Sequence, residues 1–138
     1  MNHDNYPQNY TLDILGKVKS IALVGASANE ARPSNKVMRF MQDKGYKVLP
    51  VNPGLAGQQL NGETVYASLQ ELPQKVDMID IFRNAEAAAL IIDEALVLEQ
   101  KPDVIWMQLE IRHDEAAQKA EDAGLQVVMN RCPKIELS

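Results

Sequence analysis

The chain has 138 residues, 46% hydrophobic and 24% charged, with a formal net charge of −5. That length suits one domain with a core of its own, and the acidic balance argues against a nucleic-acid partner. A single cysteine, Cys132, excludes an internal disulfide and any cysteine-rich metal cluster. No apolar run approaches the roughly 20 residues that cross a bilayer. The opening residues, Met1 to Tyr10, have neither the basic nor the apolar stretch of a secretory signal, so a cytoplasmic location is expected. Residues 1–11 read as a flexible tail and 12–138 as a single domain.

In chain order, Leu12 to Val18 reads as a short leading helix and Ile21 to Gly25 as a first strand. The strand is apolar throughout, as suits a parallel strand covered on both faces. Pro33 is placed to start a helix over Ser34 to Lys44, and Gly45 to end it. A second strand, Lys47 to Val51, contains Pro50, so it is either short or has that nitrogen facing no neighbour. Gly54 to Gly62 reads as a loop and Ala67 to Leu72 as a short helix. Strands follow at Val76 to Phe82, Asp103 to Met107 and Gln126 to Met129. Helices stand between them at Asn84 to Gln100, with Asn84 as N-cap, and at His113 to Ala123. This alternation predicts an α/β fold, a Rossmann-like doubly wound, mainly parallel five-stranded sheet with helices on both faces.

Ligands of such sheets bind beyond the carboxyl ends of the strands. After the first strand, Gly25, Ala26 and Ser27 let backbone amides approach a phosphate, and the next helix start adds about half a positive charge. Ser27 and Ser34 carry hydroxyls, and Arg32 can take a phosphate with a bidentate fork. The alternative is an ordinary strand-to-helix turn with a capping serine. Only the first glycine of the dinucleotide fingerprint is present. The second strand ends at Asn52 and Pro53, without the carboxylate that accepts from a ribose in NAD sites. A ligand with a phosphate on its ribose is therefore tolerated, and NAD is disfavoured.

Arg83, before the third helix, is either a second phosphate partner or a surface arginine. Phe82, Trp106 and Met107 read as core, Gln108 can hydrogen-bond a ligand amide, and Glu110 reads as a solvated loop residue. His3 and His113 make no metal site of known spacing, and no nucleophile elbow or P-loop is present. Cys132 is either a buried structural residue or a thiol activated by Arg131. No catalytic residue and no metal ligand is assigned.

Six blocks occur in order: Ile21 to Ser27, Arg32 to Ser34, Val48 to Pro53, Val76 to Arg83, Trp106 to Leu109 and Val128 to Pro133. Together they resemble the small stand-alone bacterial CoA-binding proteins of the YccU type. These are similar to the CoA-binding domain of the succinyl-CoA synthetase α subunit. The resemblance implies coenzyme A, or an acyl-CoA, held through its 3′-phospho-ADP moiety at the carboxyl edge. Gly25, Ala26 and Ser27 would line the pyrophosphate, and Arg32 and Ser34 would support the phosphates. Asn52 and Pro53 would flank the adenosine, Phe82, Arg83 and Asn84 would form a wall, and Gln108 would lie near the pantetheine. The family often has glycine where this chain has Glu110, and Asp where it has Asn130. The ligase domains are missing, so no catalysis of its own is expected. An NAD(P)-binding oxidoreductase-type domain and thiol chemistry of Cys132 with CoA are the alternatives. A homo-oligomer, or docking on an acyl-CoA enzyme, is left open.

Overall fold

Ser20 to Val24 is apolar on both sides of its pleat, and such a strand is stable only when covered on both faces. In the computed structural model, which describes all residues from Met1 to Ser138, it forms strand β1 with every residue buried. Helix α1 (Tyr10–Lys17) precedes it, and α2 (Pro33–Asp43) leads to β2 (Lys47–Val51). A hairpin of β3 (Gln59–Leu60) and β4 (Glu63–Thr64) follows. Then come β5 (Met78–Ile81), α3 (Ala85–Leu96), β6 (Val104–Met107), α4 (Asp114–Asp122), β7 (Gln126–Val128) and α5 (Pro133–Glu136). Five strands form one sheet in the order β2-β1-β5-β6-β7, and all its pairings are parallel. The expected five-stranded α/β sheet is therefore present, and its order reverses between β1 and β5.

Alternate residues of each strand feed two separate cores. Val24, Ile79, Ile81 and Met107 pack under α3 and α4, with Ala88, Ile92 and Ala120 from those helices. Ile21, Leu23, Met78 and Trp106 pack under α1 and α2, with Ile14, Met38 and Met41, and meet Cys132 at the head of α5. No helix is long and apolar enough to cross a membrane.

Several boundaries differ from the sequence expectation. Pro50 does lie within β2, but β2 is an edge strand. Its carbonyl takes the Tyr66 N–H at 3.0 Å, so the missing donor falls on the side away from β1. The 54–62 segment is not all loop, because Asn61 and Gly62 both have positive φ and turn the β3–β4 hairpin. Helix α3 stops at Leu96, ahead of the expected Gln100, where Val97 and Leu98 bond back three residues to Glu94 and Ala95. The stretch expected as a short helix is a single 3₁₀ turn at Leu69–Glu71.

Residues 1–11 carry specific contacts, although the sequence suggests a flexible tail. Tyr6 Oη accepts from the Met129 N–H at 2.7 Å, and Tyr10 Oη donates to the Val127 carbonyl at 2.8 Å. Both bonds fall on β7 and the residue after it, the outer edge of the sheet. His3 bridges Tyr6 Oη and Glu121, and Asp4 pairs with Arg112 at 2.7 Å. Covering an edge strand in this way protects it from pairing with another chain.

Candidate functional site

A cleft of about 600 Å³ opens beyond the carboxyl ends of β1, β2 and β5, beside the point where strand order reverses. Its floor begins at Gly25, where φ is +94°. A Cβ there would meet the Phe82 carbonyl oxygen at 2.7 Å, so both conformation and space demand glycine. The Gly25 and Ala26 amides donate to the Val51 carbonyl.

The next two carbonyls are tied down by side-chain amides. Asn52 Nδ2 donates to the Ala26 carbonyl at 2.8 Å, and Asn35 Nδ2 to the Ser27 carbonyl at 2.8 Å. Ser27 Oγ accepts from the Asn29 N–H, and Asn29 Oδ1 from the Ala31 N–H. With its carbonyls held, the loop keeps amides to spare. The N–H groups of Ser27, Ala28 and Ser34 find no acceptor within the chain.

Helix α2 begins at this loop without the usual safeguards. Arg32 occupies the N-cap and makes no side-chain cap, and the first turn holds no acid. Ser34 is the second helical residue and does not cap, which removes the capping-serine alternative. By contrast, Asn84 Oδ1 caps α3 and His113 Nδ1 caps α4, each with an acid in the first turn. A bare helix start combined with free amides favours an anion. Arg32 and Arg83 add two cations that form no ion pair.

The expected residues divide as follows. Gly25, Ala26, Ser27, Arg32, Ser34, Asn52 and Phe82 all line the cleft. Arg83 borders it, with its Cδ 3.2 Å from where a Gly25 Cβ would stand. Pro53, Asn84 and Gln108 lie outside the lining, and Asn84 is engaged as the α3 cap. Phe82 is half-buried, while Trp106 and Met107 are core as expected. The cleft also includes Ala28, Asn29, Pro33, Gly54 and Leu55, which sequence reasoning did not single out as site residues, although three of them adjoin residues that it did. Asn35 was missed as well. Its signal is faint: an asparagine just inside a helix, where propensity disfavours it.

Outside the cleft, both histidines serve structure: His3 braces the N-terminal segment and His113 caps α4. Cys132 is buried at the N-cap of α5, and the Arg131 guanidinium lies over the Tyr6 ring, 5.2 Å from its centroid. Glu110, beyond β6, holds φ at +68°, and its N–H donates to Asn130 Oδ1 at 2.7 Å. Asn130 is itself left-handed, at +58°. The two loops thus lock one another, with glutamate in a conformation that suits glycine.

A family profile described as CoA binding domain matches residues 19–138. The protein YneT of Bacillus subtilis is 34% identical over 123 residues, which are 89% of this chain and 88% of YneT. The alpha subunit of ADP-forming acetate–CoA ligase I of Pyrococcus furiosus is 33% identical over 88 residues, 61% of this chain and 19% of the subunit. Among solved structures, the protein described as cell-free ID.343 from Thermus thermophilus has a TM-score of 0.88 at 37% identity, covering 96% of this chain and 97% of that one. A hypothetical protein from Pyrococcus horikoshii OT3 also has a TM-score of 0.88, at 34% identity, covering 96% and 91%.

Proposed function

Since the chain belongs to the CoA binding domain family, we propose that it binds coenzyme A, or an acyl-CoA, at the cleft beyond β1 and has no catalysis of its own. The observation that carries the reading is the uncapped start of α2, with the free amides of Ser27, Ala28 and Ser34 belonging to residues that line the same cleft as Arg32. The pyrophosphate sits on those amides, and Arg32 and Arg83 neutralise the remaining phosphate charge. Asn52 and Pro53 flank the adenosine, Phe82 and Asn84 belong to the facing wall, and the pantetheine runs toward Gln108. No carboxylate stands at the end of β2, so a ribose phosphate meets no repulsion there. A binding role without chemistry is supported by the engagement of both histidines elsewhere.

Calorimetric titration with CoA, dephospho-CoA and NAD tests this directly. CoA should bind best, and dephospho-CoA should bind more weakly for want of the 3′-phosphate. Replacing Arg32 with Ala should weaken CoA binding by about 1.5–3 kcal/mol at moderate salt, the scale of a charge-assisted contact. Binding of NAD without CoA would overturn the ligand assignment, and an unchanged dissociation constant in Arg32→Ala would remove Arg32 from the site.

A further inference from the structure

Three buried side-chain polar atoms have no hydrogen-bond partner: Asn35 Oδ1, Asp80 Oδ1 and Gln108 Oε1. For Asn35 the amide orientation is settled, because its Nδ2 already donates to the Ser27 carbonyl. Asp80 stands on β5 between Leu23 of β1 and Trp106 of β6, both in the layer beneath α2. Asn35 is 1% exposed on α2, whose Val37, Met38 and Met41 fill that same layer. Gln108 follows Trp106 by two residues. One buried layer under the cleft loop therefore holds acceptors in need of a donor.

The neighbouring aromatic donors are taken. Trp106 Nε1 donates to the Arg131 carbonyl, Tyr46 Oη to Leu15, Tyr10 Oη to Val127, and Tyr6 Oη meets His3. What remains is the Gln108 side-chain amide, the Ser34 hydroxyl at the cleft, the Cys132 thiol, a weak donor, and a proton on Asp80 itself, and only the last can titrate away on Asp80. Around Asp80, β1 and β6 contribute Leu23 and Trp106, neither of which titrates, and α2 covers the layer with Val37, Met38 and Met41, which do not titrate either. Cys132 is the titratable group at the head of α5, while Tyr6, Tyr10 and Tyr46 border the layer. Of the charged groups nearest along β5, Asp77 receives the Lys19 and Ser20 amides, and Arg83 lies against Gly25. Burial alone pushes the Asp80 carboxyl well above the usual carboxylate range, with no charged neighbour contributing.

We propose that Asp80 is a positioning residue for the cleft: in its acid form it donates, directly or through one enclosed water, to Asn35 Oδ1, and Asn35 in turn holds the Ser27 carbonyl. The proposal rests on the reading of this loop as the phosphate-binding part of the site. Loss of the proton would set a charge against an acceptor, free Asn35 from its position and loosen the amides of Ser27 and Ala28. Ligand affinity then falls on the alkaline side, governed by an acid that never touches the ligand.

The test compares wild type, Asp80→Asn and Asp80→Leu in two measurements from acid to alkaline pH. The first is amide hydrogen exchange of Ala26, Asn29 and Ala31, the hydrogen-bonded amides of the loop, without ligand and corrected for intrinsic rates, and the second is CoA affinity by titration. Wild type should lose about tenfold in both as pH rises, Asp80→Asn should stay flat, and Asp80→Leu should be loosened at every pH. A ratio of wild type to Asp80→Asn that stays constant with pH would overturn the proposal, and Asp80→Asn remains decisive if Asp80→Leu does not fold. If loop exchange follows the expected pattern while no variant binds CoA, the ligand assignment fails and the positioning role stands.

Discussion

The two faces of the sheet are built to different ends. Under α3 and α4 the core is rich in alanine, with Ala88, Ala95, Ala116, Ala117 and Ala120 allowing close helix approach. Both of those helices start with a side-chain cap and an acid in the first turn. Under α1 and α2 the buried set includes Thr11, Ser34, Asn35 and Asp80, and α2 starts with neither cap nor acid. All three helices point their positive ends at the same carboxyl edge of the sheet. Only one is left unsatisfied, and it is the one that follows β1 at the cleft. A helix end stays open to an anion when the chain withholds the groups that would otherwise quiet it.

The sharpest way to break this contrast is Gly25→Ala. The new Cβ would sit 2.7 Å from the Phe82 carbonyl oxygen at a φ of +94°, which no side-chain rotation relieves. A loss of about 4 kcal/mol in urea unfolding is expected, together with loss of CoA binding. Next comes a matched pair, Ile92→Ala under α3 and Met38→Ala under α2. Each removes a fully buried side chain and should cost about 3 kcal/mol. The α3 variant should keep its CoA affinity, whereas the α2 variant should weaken it; equal affinities would show that the two faces are not functionally distinct.

Asp80 sharpens the comparison through pH. Because burial raises its pKa, the folded chain keeps a proton that the unfolded chain has already lost above the ordinary carboxylate range. Its contribution to stability is thus fully present below about pH 4 and is lost as pH rises through the folded-state value, at up to ~1.4 kcal/mol per pH unit. Asp80→Asn should therefore gain on wild type as unfolding is measured at successively higher pH, and the gain should vanish toward acid. The smallest effect is expected at Glu110→Gly. Relief of the left-handed strain, less the entropy cost of glycine, should raise stability by about 0.5–1 kcal/mol in thermal unfolding.

Much of this was legible beforehand because it rests on local pattern. Runs rich in apolar residues marked all five sheet strands, and Pro33, Asn84 and Gly45 marked helix ends through backbone chemistry that needs no distant partner. The β3–β4 hairpin was legible too, in Asn61-Gly62, but the neighbouring glycines favoured a loop. The cleft residues on the first loop followed from one rule, that such sheets bind beyond their carboxyl ends. Gln108 and Pro53 obey the same rule and yet lie outside the cleft lining, since the position of the cleft depends on how the loops cross the edge.

Two acids on or beside the same strand show where sequence stops. Asp77 and Asp80 lie three residues apart in one apolar run. Asp77 accepts the amides of Lys19 and Ser20 at the start of β1, while Asp80 is 1% exposed with an oxygen left over. No local pattern distinguishes them. Composition, periodicity and turn chemistry determined that this chain would alternate strand and helix and present small residues and arginines at one sheet edge. Those are properties of neighbouring residues and of the backbone. Which strand would lie beside β5, which helix start would go uncapped into a cleft, and which carboxyl would be shut away from water were decided only by tertiary structure. Burial and the supply of hydrogen-bond partners come from residues far apart in the chain.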